Sequence, residues 1–295
     1  MMNDINRGVL FMLMASFFFA IMGGFAKALT TSLPAIEIVF FRNVFGFIAI
    51  LYMIYKTPLV QVGGKPLLLL FRGVMGFLAL LAYFYIFEFI PLGEAMTYNK
   101  LSSLFVAFFA FIFFKEKLSP MAIVALFLGF FGVILFAKPF GGIFDLYDIL
   151  GIFSGIGAAL AYTSIRELRN YYETRSIVLS FMAVGTIMPM IFMLLAPYID
   201  DKNMKIMFSQ FVMPSNIDFV YILLMSLFAT FSQFMMTKAY EISKAGIVSA
   251  VSYSGIFFST VVGIVVFGDS MPDFITSVGI ILIIVAGVMV TFEKK

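Results

Sequence analysis

The chain has 295 residues, 63% of them hydrophobic and 12% charged, against roughly 25% charged in a soluble domain. That composition excludes an ordinary soluble enzyme, and ten bilayer-spanning helices of about 20 residues would use about 200 positions, leaving no room for a separate water-soluble domain. The net charge is only +3, and Cys and His are absent, which removes thiol nucleophiles, the usual zinc ligands and the side chain that titrates near neutrality unaided.

Long apolar runs bounded by charge, Pro or Gly predict an all-α integral membrane protein with ten transmembrane helices, at 8–29, 35–55, 67–87, 95–114, 121–137, 149–167, 177–196, 219–237, 246–267 and 274–292. The first run lacks a small-residue cleavage site in the right place and reads as a retained helix. Span two carries Glu37 near its edge and Arg42 inside. Span three carries Arg72 and Tyr83, and Glu88 and Glu94 lie between it and the polar start of span four, where Thr97, Tyr98, Asn99, Lys100, Ser102 and Ser103 fall within seven residues. In span six Tyr162 follows Gly151, Gly155 and Gly157, which together with Gly23, Gly24, Gly129 and Gly132 read as close-packing or bending positions.

Span eight repeats Ser226, Thr230, Gln233 and Thr237 along one helical face. Span nine follows with Ser249, Ser252, Gly255 and Ser259, flanked by Tyr253 and Thr260. Polar atoms facing hydrocarbon are costly, so spans four, eight and nine have the strongest claim to a shared polar interior, although Ser, Thr and Gly also serve helix packing. Tyr83, Tyr98, Tyr162 and Tyr253 lie too deep for an interfacial belt and need partners for their hydroxyls. The many Phe residues read as lipid-facing, with Phe105, Phe257 and Tyr83 placed to flank a cavity.

Three cations fall within spans. Arg42, Arg72 and Lys100 lie roughly 8 to 11 Å from the span edge at 1.5 Å per residue. Side chains lean toward the helix N-terminus, so Arg42 and Arg72 read equally as snorkelling to headgroups or as facing a cavity. Lys100, among polar neighbours, reads as a cavity cation that binds a substrate carboxylate or phosphate or pairs with Glu88 or Glu94. No acid lies in the middle of a span, so proton coupling, exchange and facilitated diffusion all stay open.

Basic residues accumulate on the cytoplasmic side. With the N-terminus inside, Arg7, Lys56, Lys65, Lys115, Lys117, Arg166, Arg169, Arg175, Lys238, Lys244, Lys294 and Lys295 are cytoplasmic, against Lys27, Lys138, Lys202 and Lys205 outside. Both termini are therefore expected in the cytoplasm, with the chain in the cell (inner) membrane.

Two stretches 153 positions apart resemble each other. Ile90-Pro-Leu-Gly-Glu-Ala-Met-Thr, an apolar span and Phe113-Phe-Lys-Glu-Lys-Leu-Ser-Pro match Ser243-Lys-Ala-Gly-Ile-Val-Ser-Ala, an apolar span and Val266-Phe-Gly-Asp-Ser-Met-Pro-Asp, aligning Glu116 with Asp269. Lys115 and Lys117 become Gly268 and Ser270 in the second copy, as the positive-inside rule expects of a loop moved to the outer face. Residues 1–142 and 143–295 thus read as two inverted five-helix repeats, an organisation typical of secondary transporters.

At these residues a resemblance emerges. Glu37-Ile-Val-Phe-Phe-Arg42, Phe71-Arg-Gly73 and Phe114-Lys-Glu-Lys-Leu-Ser119 resemble the drug/metabolite transporter superfamily, specifically its EamA-type members; Arg42 has no counterpart in the second half. The resemblance implies a carrier of small organic solutes through a cavity lined mainly by spans three, four, eight and nine, with spans one and six contributing. The function expected is secondary transport of a small polar metabolite, amino-acid-like, nucleoside-like or vitamin-like, by alternating access. The substrate-binding candidates are Lys100, Asn99, Tyr98, Ser103, Gln233, Thr230, Tyr253, Ser252, Tyr83 and Tyr162, with Arg42, Arg72, Glu37, Glu88 and Glu94 as structural or functional charges. A channel or structural membrane subunit is the alternative, and an intramembrane enzyme lacks a base, an aspartyl pair or metal ligands. No cofactor and no nucleic acid is expected; the partners are the metabolite and the lipid bilayer, and a homodimer stays open.

Overall fold

The structure is a computed structural model that describes residues 4–86, 89, 92–115, 119–137, 146–199, 206–267 and 273–291. These residues form helices and connections without a strand: α1 (Asp4–Leu29), α2 (Ala35–Lys56), α3 (Pro66–Ile86), α4 (Leu92–Phe114), α5 (Pro120–Ala137), α6 (Leu146–Leu168), α7 (Thr174–Leu195), α8 (Asn216–Ile242), α9 (Ala245–Ser252), α10 (Ser254–Phe267) and α11 (Phe274–Thr291). Among the described residues seven segments are long and apolar enough to cross a membrane. Every predicted span falls on a helix. Helix α4 begins three residues before its apolar run and α8 continues five residues past its own, because backbone hydrogen bonding carries a helix on through polar residues that hydropathy excludes.

The ninth span is divided. Tyr253 N–H donates to Ala250 O at 3.3 Å and Ile256 N–H to Tyr253 O at 3.0 Å, a three-residue spacing that tightens the turn between α9 and α10.

Helix α1 packs on α8 and α10, α3 on α6 and α7, α4 on α6 and α9, α2 on α7 and α8, and α5 on α11. Small residues set the closest approaches. A Cβ on Gly155 would stand 2.7 Å from Tyr98 O, and one on Gly132 would stand 2.8 Å from Gly279 O, so α4–α6 and α5–α11 meet backbone to backbone at these points. Large apolar side chains such as Phe108, Phe111, Phe127, Leu227 and Val265 are exposed on the outside of the bundle, where lipid is their natural solvent.

Polar contacts gather at the two ends. At the end where α2 stops, Lys65 pairs with Glu167, Lys238 with Glu241 and Arg175 with Glu173. Arg166 donates to Ser243 O at 2.8 Å and Arg175 to Thr57 O at 2.6 Å, which ties the α2–α3 connection to the α6–α7 turn. Glu173 accepts the Val60 N–H at 2.6 Å, and that bond, with Arg175 beside it, holds the carboxyl below the usual carboxylate range. Hydrogen bonding to Glu167 pushes the Lys65 ammonium up. At the opposite end Glu37 accepts from Val212 N–H at 2.9 Å, and Ser215 and Asp218 form a reciprocal capping box on α8.

Candidate functional site

The helices enclose a cavity of about 150 Å³ lined from α1, α2, α3, α4, α6, α7, α8, α9 and α10, room for on the order of ten waters. Three tyrosines, Tyr83, Tyr162 and Tyr240, and a row of apolar side chains form much of its wall. Three cations reach it: Arg42, Arg72 and Lys100.

The position of Arg72 follows from a glycine one turn on. A Cβ at Gly76 would lie 2.5 Å from Arg72 Nη1 and 2.7 Å from the Phe181 ring. The guanidinium therefore lies over residue i+4 and runs toward the interior of α3, because the missing methyl leaves that groove open. Its Cζ stands 5.0 Å from the Phe181 ring centroid and 5.8 Å from that of Tyr162, within cation–π range. The side chain is 1% exposed, and none of its three nitrogens has a hydrogen-bond partner.

Arg42 arrives from α2. Its Nη1 donates to Asn43 Oδ1 at 3.1 Å, and Asn43 is itself held by Val39 O at 2.8 Å. The Arg42 Cζ lies 5.4 Å from the same Phe181 ring and 6.0 Å from Phe19. Of the two readings held for these arginines, snorkelling is set aside: each is buried and lies against the Phe181 ring that α7 presents to α2 and α3.

Lys100 lies eight residues into α4, about 12 Å from its start, deeper than the apolar run suggests. Its ammonium donates to Ser252 O at 3.0 Å, at the α9–α10 break. A Cβ on Gly255 would come within 3.3 Å of Lys100 Nζ, so a glycine again makes room for a cation. Beside it Ser103 and Ser252 share a hydroxyl hydrogen bond of 2.8 Å. Gln233 Nε2 donates to Thr237 Oγ1 at 3.3 Å, and Tyr162 stacks on Tyr240, whose hydroxyl bonds Ser249 at 3.2 Å.

Of the residues singled out from the sequence, Lys100, Asn99, Gln233, Ser252, Tyr83, Tyr162, Arg42 and Arg72 line the cavity. Ser103 stands one hydrogen bond behind it. The others lie elsewhere. Tyr98 turns its hydroxyl to Asp148 and its ring to Gly151. Thr230 bonds its own helix at Ser226 O, 2.8 Å away. Tyr253 packs against Gly129, fully buried, and Glu37 belongs to the end of the bundle. Glu88 and the side chain of Glu94 lie outside the described residues, as do Glu116 and Asp269. Phe105 and Phe257 do not line the cavity; Phe19, Phe84 and Phe181 do. Gly23, read as a packing position, instead faces open space in the cavity wall.

Sequence reasoning missed Ser16, Tyr240 and Phe181. Ser16 sits alone in an apolar span, and Tyr240 lies beyond the apolar run of span eight, so neither stood out. The signal for Arg72 was present in its glycine four residues on. Among the described residues no group of three or more acidic side chains converges to hold a metal.

The model of the EamA-like transporter family matches residues 6–138 and 145–292. A pseudopaline exporter, CntI, of Pseudomonas aeruginosa strain UCBPP-PA14 is 32% identical over 99% of this chain and 98% of its own. An uncharacterized transporter of Helicobacter pylori strain ATCC 700392 / 26695 is 28% identical over 98% of this chain and 96% of its own. A solved crystal structure, 16% identical, superposes with a TM-score of 0.77 over 97% of this chain and 96% of that one, which shows a shared fold.

Proposed function

Because the chain belongs to the EamA-like transporter family, a family of multi-pass membrane proteins, we propose that it is a secondary transporter that carries a small polar organic metabolite by alternating access through the central cavity. The observation that carries this reading is the cavity itself: a mostly apolar bundle encloses a space lined by helices of both halves of the chain, and three cations, all from the first half, reach it. Buried charge of this kind in a membrane protein marks a substrate or ion path.

Two further observations support two inverted repeats, 1–142 and 143–295. The family model matches once in each. The helix pairing also keeps its pattern when α1–α5 are exchanged for α6–α11: α1 on α8 becomes α6 on α3, α2 on α8 becomes α7 on α3, and α4 on α6 becomes α9 and α10 on α1. Such a pairing lets one set rock against the other around a fixed site. The named exporter among the relatives supports an outward direction, and the basic residues at the α2 end support cytoplasmic termini in the inner membrane.

Reconstitution into proteoliposomes tests the reading. A carrier gives saturable flux and counterflow of a labelled metabolite drawn from a panel of amino-acid-like, nucleoside-like and vitamin-like solutes. Large unsaturable flux without counterflow identifies a channel.

A further inference from the structure

We infer that the cavity takes a small organic anion with at least two acidic groups, one received by the guanidiniums of Arg42 and Arg72 and another by the ammonium of Lys100; this rests on the cavity being the transport site. Arginine stays charged in any protein setting, so the two guanidiniums, 2% and 1% exposed, place fixed positive charge inside the bundle. None of the described residues lining the cavity is acidic. Uncompensated buried charge is strongly destabilising, and cation–π contact with Phe181 does not satisfy N–H donors.

The donors are there to be used. All three Arg72 nitrogens and Arg42 Nε are buried without a partner, and both guanidiniums face one ring, at 5.0 and 5.4 Å. Planar forks of this kind match a carboxylate or phosphate bidentately. Lys100 has three donors and gives one to Ser252 O, which leaves two for a ligand. At about 150 Å³ the cavity exceeds what a single inorganic ion needs, and its apolar walls, including Phe19 and Met12, suit the carbon skeleton between acidic groups.

The test uses the full chain in nanodiscs, with the thermal unfolding midpoint as readout. The probes are citrate, succinate, glutamate and 3-phosphoglycerate, with acetate, succinamide and cadaverine as mono-anionic, neutral and cationic counterparts. At least one probe with two acidic groups raises the midpoint saturably, while acetate, succinamide and cadaverine do not. Arg72→Gln and Lys100→Gln each weaken that binding by roughly tenfold or more, and Arg72→Lys recovers part of it, since each removes charge-assisted hydrogen bonds. The wild-type preference for two acidic groups over one needs no variant to fold. Stabilisation by no member with two acidic groups overturns the anion class, as does a neutral or cationic ligand that Arg72→Gln leaves unchanged. Gly23→Leu, which fills the cavity from its wall, separates the two readings. A neutral ligand lost in Gly23→Leu sinks the anion class and keeps the transport site, whereas transport that survives Gly23→Leu sinks the site.

Discussion

The ammonium of Lys100 donates to the main-chain carbonyl of Ser252 at 3.0 Å, across two segments that the 153-residue offset aligns. At that offset Asn99 corresponds to Ser252 and Lys100 to Tyr253, so the bond joins the two halves at nearly equivalent places. One partner is a helix side chain, and the other is a backbone group at the α9–α10 break, where irregular backbone is tolerated because it borders a cavity.

Replacing Lys100 by Met keeps the length of the side chain and removes the charge. Hydrogen bonds to charged groups contribute about 1.5–3 kcal/mol, so counterflow in proteoliposomes should fall by roughly tenfold or more while the protein stays monodisperse in size-exclusion chromatography. Full transport by this variant would take Lys100 out of the mechanism.

Two glycines should behave oppositely. A Cβ on Gly155 meets the Tyr98 carbonyl at 2.7 Å, whereas one on Gly23 meets nothing within 4 Å. Gly155→Ala forces α4 and α6 apart and costs about 1–3 kcal/mol; Gly23→Ala leaves stability unchanged within about 0.5 kcal/mol. Unfolding in a denaturing-detergent titration reads both.

Ser215 caps α8. Its hydroxyl accepts from Asp218 N–H, and Asp218 accepts from Ser215 N–H at 2.9 Å and from Ser32 at 3.0 Å. Ser215→Ala should cost about 1 kcal/mol in the same titration, and Ser215→Thr should restore most of it. Equal losses in both would assign the effect to something other than the cap.

Glu173 makes stability at the α2 end depend on pH. Its carboxyl is held below the usual carboxylate range by the Val60 N–H and by Arg175. A depressed folded pKa stabilises above the unfolded value, about 4.3, and that contribution is lost as pH falls through the folded pKa. The gap in thermal midpoint between wild type and Glu173→Gln should therefore be present at pH 6 and close in acid below about pH 4. A gap that persists unchanged into strong acid would rule the carboxylate out as its source.

Much of the architecture was legible in the sequence. The ten apolar runs all became helices, and the polar start of span four and the stripe of span nine both met the cavity. Span eight was legible only in part. Its stripe correctly marks one face, but Ser226 donates to Phe41 O at 2.6 Å and Thr230 to its own backbone, so that end of the stripe seats α8 against α2. The cavity begins further along, at Gln233, Met236 and Tyr240. Serine and threonine can satisfy themselves on a neighbouring backbone or face a ligand, and spacing does not distinguish the two.

By itself the sequence determined that this chain lives in a membrane, where its apolar helices lie, and which residues are polar enough to need shelter. Those are local quantities: the length of an apolar run, the hydrogen bonding of a helix, and the cost of a charge in hydrocarbon. Only the tertiary structure decided where the arginines point, which tyrosines border the cavity, and that Lys100 finds a backbone carbonyl instead of an acid among the described residues. The reason is that lipid and neighbouring helices are about equally apolar, so hydropathy records that a helix is buried in the membrane without recording how it is rotated. That rotation is fixed by close approaches such as Gly155 on Tyr98 and by the open groove at Gly76, and it brings three cations to one cavity.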